Sequence, residues 1–163
     1  MMKAQPYLFI LPVIIINPSH GGHNNPSLAS WEQIDRLVFG RYTAGMTEDD
    51  SVEIFALTNQ ALYENLLNND SLPAGNADKQ FVPLGQEKFE LVKELMQQVP
   101  SELLKEKEVF IGSPDSTDGG GIYIEVHDTE EKRFWLIDNN TAHIPQYLRS
   151  FVATVNAKIN MLR

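Results

Sequence analysis

The chain contains no cysteine among its 163 residues. That single absence removes disulfides, thiolate metal sites, iron–sulfur clusters and cysteine nucleophiles. Positive charge is scarce too: 13 Lys and Arg stand against 22 Asp and Glu, for a formal charge of −9. A general nucleic-acid binder carries a basic stripe, and docking on anionic lipid requires one as well, so neither class fits. No apolar run reaches the length of about 20 residues that a spanning helix needs, so stable membrane insertion is not expected. There is no Gly-x-Ser-x-Gly elbow, no His-Glu-x-x-His helix and no Lys-Ser/Thr pair after a glycine loop. No cofactor is therefore indicated.

The remainder is ordinary globular composition, with 42% apolar and 21% charged residues. The chain is long enough to bury a core from packing alone. An acidic surface of this kind serves solubility before it serves capture of cations.

The first thirty residues differ from the rest. Lys3 is the only charged side chain before Glu32, and Tyr7 to Ile16 form an apolar run broken only by Pro12. A basic start, an apolar stretch of roughly 7–15 residues and small residues at a cut site make a signal peptide. Ser27-Leu28-Ala29 supplies the small residues. Residues 1–29 are accordingly expected to be a signal peptide or flexible segment, and the protein to be periplasmic or secreted. The competing expectation is a cytoplasmic protein in which residues 7–16 hold a core strand.

Periodicity assigns the elements that follow. Ile34, Leu37 and Phe39 predict a strand ending near Tyr42, and Val52 to Leu57 predict its hairpin partner. Residues 44–50 read as an acidic loop, and residues 68–80, with Pro73, Gly75 and Asn76, as a surface loop. Residues 58–67 fit two readings, a helical face of Leu62, Leu66 and Leu67, or a turn at Thr58 followed by a short strand. Phe89, Val92, Leu95, Met96 and Val99 recur at helical spacing and predict a helix over 86–99, closed by Pro100. In the last third, Ile122, Ile124 and Val126 alternate with Tyr123, Glu125 and His127, and Phe134 and Leu136 alternate with Trp135 and Ile137. Pro145 then opens a helix whose apolar face carries Tyr147, Leu148, Phe151, Val152, Val155 and Ile159. The fold class expected is α+β: one domain over 31–163, mainly an antiparallel sheet of four to six strands with two principal helices on one face.

Two constellations are candidates for function. Tyr123, Glu125 and His127 share one strand face. Pairing Val126 with Phe134 across the turn sets Glu125 opposite Trp135, which gives a polar row beside an exposed indole. The loop Asp115, Asp118, Gly119, Gly120 and Gly121 joins two strands, and its glycines are expected to permit positive φ or close backbone approach. Asp115, Asp118 and Asp138 would meet at one end of the sheet and suit a cation. His20 and His23 have a spacing that holds a transition metal, with no further ligands nearby. His143 reads as a residue on the approach to the last helix.

Gly-Ile-Tyr-Ile-Glu, a turn, Phe-Trp-Leu-Ile-Asp, and Ile-Pro-x-Tyr-Leu at the head of a helix resemble the closing half of small bacterial exported α+β proteins. The resemblance covers the last third of the chain and implies no activity. The function expected is a non-enzymatic binding or interaction module of the cell envelope, inhibitor-like or accessory, with another protein as partner. The alternative is a small hydrolase or metal-assisted enzyme using His127 with Glu125, or the aspartates at 115 and 118.

Overall fold

The structure is a computed structural model that describes residues 32, 34–42, 52–66, 80–114, 120–128 and 131–163. The export segment, the acidic loop at 44–50, residues 68–79 of the surface loop, the two early histidines, Asp115, Asp118 and Gly119 lie outside those residues.

Seven strands form one sheet: β1 (Arg36–Tyr42), β2 (Glu53–Thr58), β3 (Leu62–Asn65), β4 (Phe81–Pro83), β5 (Phe110–Ile111), β6 (Gly121–His127) and β7 (Lys132–Asp138). Their spatial order is β4-β3-β2-β1-β6-β7-β5, antiparallel throughout except where β5 runs parallel to β7. The class is α+β as expected, and the sheet is larger than the four to six strands expected because the short edge strand β4 extends it. Pro83 ends β4 on the outermost strand, where a missing N–H breaks no ladder.

Residues 58–67 adopt the turn-and-strand alternative. The Thr58 hydroxyl accepts from the Ala61 N–H at 3.1 Å and the Gln60 N–H at 3.3 Å. That side-chain turn reverses the chain into β3. Two α-helices cover one face of the sheet, α1 (Gln86–Val92) and α2 (Gln146–Leu162). The expected helix over 86–99 is therefore shorter. From Leu95 to Gln98 it tightens to a 3₁₀ turn, a frequent ending for an α-helix. Val99 is already extended at φ −61°, ψ 119°, as the residue before a proline prefers.

The helix-side core joins Leu37, Phe39, Phe55, Leu57, Ile122, Ile124, Val126, Trp135 and Ile137 of the sheet to Leu148, Phe151, Val152, Val155, Ile159 and Leu162 of α2. Each fully buried aliphatic or aromatic side chain contributes roughly 1.5–3 kcal/mol. Arg41 pins α2 to β1: it donates to Asn156 Oδ1 at 2.8 Å, to the Asn156 carbonyl at 2.8 Å and to Asn160 Oδ1 at 2.9 Å. Val38, Tyr42, Ile54, Ala56, Tyr123 and Leu136 form a second buried cluster on the opposite face, and it is on this face that the polar row lies.

Candidate functional site

β6 is the central strand of the C-terminal half, hydrogen-bonded to β1 on one side and β7 on the other. Residues of one parity face the helices, and those of the other parity, Tyr123, Glu125 and His127, face away. The structure brings these three together. Tyr123 donates its hydroxyl to Glu125 Oε2, and His127 Nε2 meets Glu125 Oε1. Arg36, directly opposite His127 in the β1–β6 register, reaches His127 Nδ1 with Nη2 at 3.0 Å. The same nitrogen lies 3.3 Å from Nε2; because the Glu125 carboxylate only accepts and the guanidinium only donates, the tautomer with the proton on Nε2 and the lone pair on Nδ1 fits both neighbours. The bonds then run Arg36 to His127 to Glu125, with Tyr123 donating into the same carboxylate from the other side.

Burial sets the electrostatics. Tyr123 is 0% and Glu125 2% exposed. Loss of hydration, then the bond to Glu125 and its charge, push the Tyr123 phenol far above its ordinary range. Burial also lowers the His127 pKa; the bond to Glu125 opposes this, and the Arg36 and Lys132 charges add to the lowering. His127 is therefore neutral near pH 7, in keeping with the tautomer. The row is a satisfied buried network in which one carboxylate is held by neutral donors.

The register corrects the expected neighbours. Glu125 pairs with Phe134, Tyr123 with Leu136 and Ile124 with Trp135, one residue away from the expected Glu125–Trp135 pairing. A one-residue slip exchanges faces, so Trp135 leaves the row. Its indole is 2% exposed in the helix-side core, and among the described residues no exposed indole borders the polar residues.

The glycine loop is described only at its end. Gly120 has φ +63°, and a Cβ on Gly121 would stand 2.5 Å from the Ile137 carbonyl. Both follow the expected use of glycine for left-handed backbone and close approach. Asp138 lies at the same end, paired with Gly121. Its carboxylate accepts from the Asn140 N–H at 2.7 Å, from His143 Nδ1 at 2.9 Å and from the Ser113 N–H at 3.1 Å. Burial raises its pKa, but these donors outweigh burial and hold it below the usual carboxylate value. The group ties β5, β7 and the approach to α2 into one knot. Among the described residues no three acidic or histidine side chains gather as a metal site. His127 and Asp138 lie six residues apart along the β6–β7 ladder, roughly 20 Å, so the two polar centres do not converge.

Sequence reasoning missed three features. Arg36 was hidden because only β2, not β6, was expected beside β1. His143 was not linked to Asp138, although the five-residue spacing across an Asp-Asn-Asn turn was visible. Third, Phe110 is 58% exposed on edge strand β5. The preceding residue, Val109, lines a depression of about 210 Å³ with Glu106, Lys107, Lys132, Arg133, Phe134 and Trp135.

No family model, curated protein or solved structure matches this chain. No helix among the described residues is long and apolar enough to cross a membrane.

Proposed function

We propose that this protein is a non-enzymatic binding module that grips another protein through the β5 edge of its sheet. The observation that carries this reading is Phe110, a large apolar side chain 58% exposed on a two-residue edge strand. An edge strand presents backbone N–H and C=O groups outward, and an extended segment of a partner can add to them while side-chain pockets supply selectivity. A single exposed apolar residue is unremarkable by itself. Here it stands on a sheet edge, and the residue before it, Val109, lines a depression together with Phe134 and Trp135.

The Tyr123–Glu125–His127 row supports binding rather than catalysis for a physical reason. Acid–base work needs a proton-bearing group within reach of substrate in a cleft. Both Glu125 oxygens already accept from neighbouring side chains, and the carboxylate is buried.

The export reading of residues 1–29 assigns the module to the cell envelope. If that reading holds, intact mass of a C-terminally tagged chain recovered from the bacterial periplasm will correspond to cleavage after Ala29; recovery of the uncleaved chain in the cytosol would reject it. The binding reading is tested by capture from native cell-envelope extract. A specific partner retained by the unmodified chain should be lost with Phe110→Glu and kept with Met161→Ala, which removes an exposed apolar side chain on α2. Equal capture by all three proteins, or substrate turnover in activity screens without any partner, overturns it.

A further inference from the structure

β5 closes one side of the sheet and is only two residues long. The Val109 carbonyl accepts from the Leu136 N–H at 2.8 Å, toward β7. Successive residues of an extended strand turn opposite ways, so Phe110 directs its own N–H and C=O away from β7, off the edge of the sheet. Its side chain, in register with Leu136 of the outer cluster, lies on the face opposite the helices and is 58% exposed. One residue thus offers a donor, an acceptor and an apolar surface to an incoming strand. The approach to it alternates Lys105, Glu106, Lys107 and Glu108. Their formal charges cancel, so charge selects no partner at this edge.

A two-residue ladder holds a strand weakly, and the contacts that fix β5 come just beyond it. The Ser113 N–H donates to Asp138 Oδ2 at 3.1 Å. That carboxylate, 6% exposed, is itself anchored by the Asn140 N–H at 2.7 Å and His143 Nδ1 at 2.9 Å. Between the strand and this anchor stands Gly112, with φ +83°. A Cβ there would come within 2.7 Å of the Asp138 Cβ and 3.2 Å of the His143 carbonyl. Glycine lets the chain close onto the carboxylate, and no other residue fits.

We infer that Phe110 docks an extended partner segment through its main-chain N–H and C=O, and that Asp138 and Gly112 are the positioning residues that hold β5 in place to present them. This rests on the binding-module reading; it names the groups that are bound and the device that sets them. The occupant is an extended segment carrying an apolar side chain opposite Phe110. Asp138 and Gly112 act on it through β5, by ordering the strand beforehand and so sparing the complex that cost.

Amide exchange in the unmodified chain gives the first test: Phe110 should exchange quickly and Ile111 and Ser113 more slowly, and the reverse order overturns the assignment. The binding probe is a peptide enriched from a phage-displayed random library against the full chain. It should slow exchange at Phe110, and its affinity should change little as salt is added. Phe110→Pro should bind it about tenfold more weakly than Phe110→Ala, since both lack the phenyl and only proline lacks the outward N–H. Gly112→Ala and Asp138→Asn should each weaken it about tenfold while exchange at Phe39 and Ile124 stays slow. Undiminished affinity in those two variants, or loss of protection at Phe39 and Ile124 in both, overturns the positioning role and leaves the binding module standing. Equal affinity of Phe110→Pro and Phe110→Ala overturns main-chain docking with the same consequence. A peptide that binds without changing exchange at Phe110, or no enrichment above background, overturns both readings.

Discussion

At the residue scale, the most deeply buried carboxylate among the described residues is Glu125. It sits 2% exposed on a central strand and accepts from Tyr123 on one oxygen and His127 on the other. Removing it leaves a buried phenol and imidazole short of an acceptor and Arg36 facing them without the carboxylate. Glu125→Ala is expected to cost about 3 kcal/mol, and Tyr123→Phe about 1–2 kcal/mol because it withdraws one donor from a buried carboxylate. The two changes act on one bond, so the double variant should cost at least about 1 kcal/mol less than their sum. Urea unfolding of the four proteins measures this, and strictly additive values would show that the two groups are not coupled. That Tyr123, Glu125 and His127 share a face was legible from the period of two along β6. Their burial was not, because alternation fixes which side a residue faces and not what covers that side. Arg36 was illegible for a related reason: its contact with His127 is set by the β1–β6 pairing, across 91 residues of sequence, and no local pattern carries such a pairing.

At the scale of elements, the amphipathic pieces were the readable ones. α2 buries Leu148, Phe151, Val152, Val155 and Ile159 at the spacing the sequence displays, and its burial continues to Leu162. β4 was harder, since three residues of strand are too few for alternation to declare itself, and residues 81–83 were assigned to no element; β5 was located as the strand before the glycine loop. The β6–β7 hairpin shows the most consequential error. Both strands were located, but the turn between them decides the register, and a slip of one residue moves Trp135 from the outer face to the core. The two registers differ in a measurable way. With Trp135 at 2% exposure among helix-side residues, Trp135→Ala should cost about 3–5 kcal/mol, whereas an exposed indole would cost well under 1 kcal/mol on truncation. Phe134→Ala, at a half-buried position on the other face, should fall between these limits. Thermal or urea denaturation distinguishes them, and a near-neutral Trp135→Ala would restore the alternative register.

At the scale of the whole molecule, the sheet carries a titrating group near each end of the β6–β7 hairpin, and their acid responses occupy different pH windows. His127 has a lowered pKa in the folded state, so the unfolded chain binds its proton first, starting near the ordinary value of about 6.5. Stability is complete above that value and falls as acid is added, until the folded-state pKa is reached. Burial is the main cause of the reluctance, and among the groups facing the ring the cations Arg36 and Lys132 add to it while Glu125 opposes it. Asp138 also has a lowered folded-state pKa, but it is an acid whose unfolded value is about 3.9. Its contribution is intact above that value and is lost only as pH falls further, when protonation costs it the bonds from Asn140, His143 and Ser113. Acid unfolding should therefore proceed along two limbs. The first, opening below about pH 6.5, should flatten in His127→Gln, whose amide can still donate to Glu125 and accept from Arg36. The second, opening below about pH 4, should flatten in Asp138→Asn. Amide exchange locates them: acidification through the first window should speed exchange at Val126 and His127 while Ile122 and Ile137 stay protected, and those two should follow only in the second. A single limb unchanged by either substitution would mean that the acid response belongs to the chain's many other carboxylates, and that neither end of the hairpin governs it.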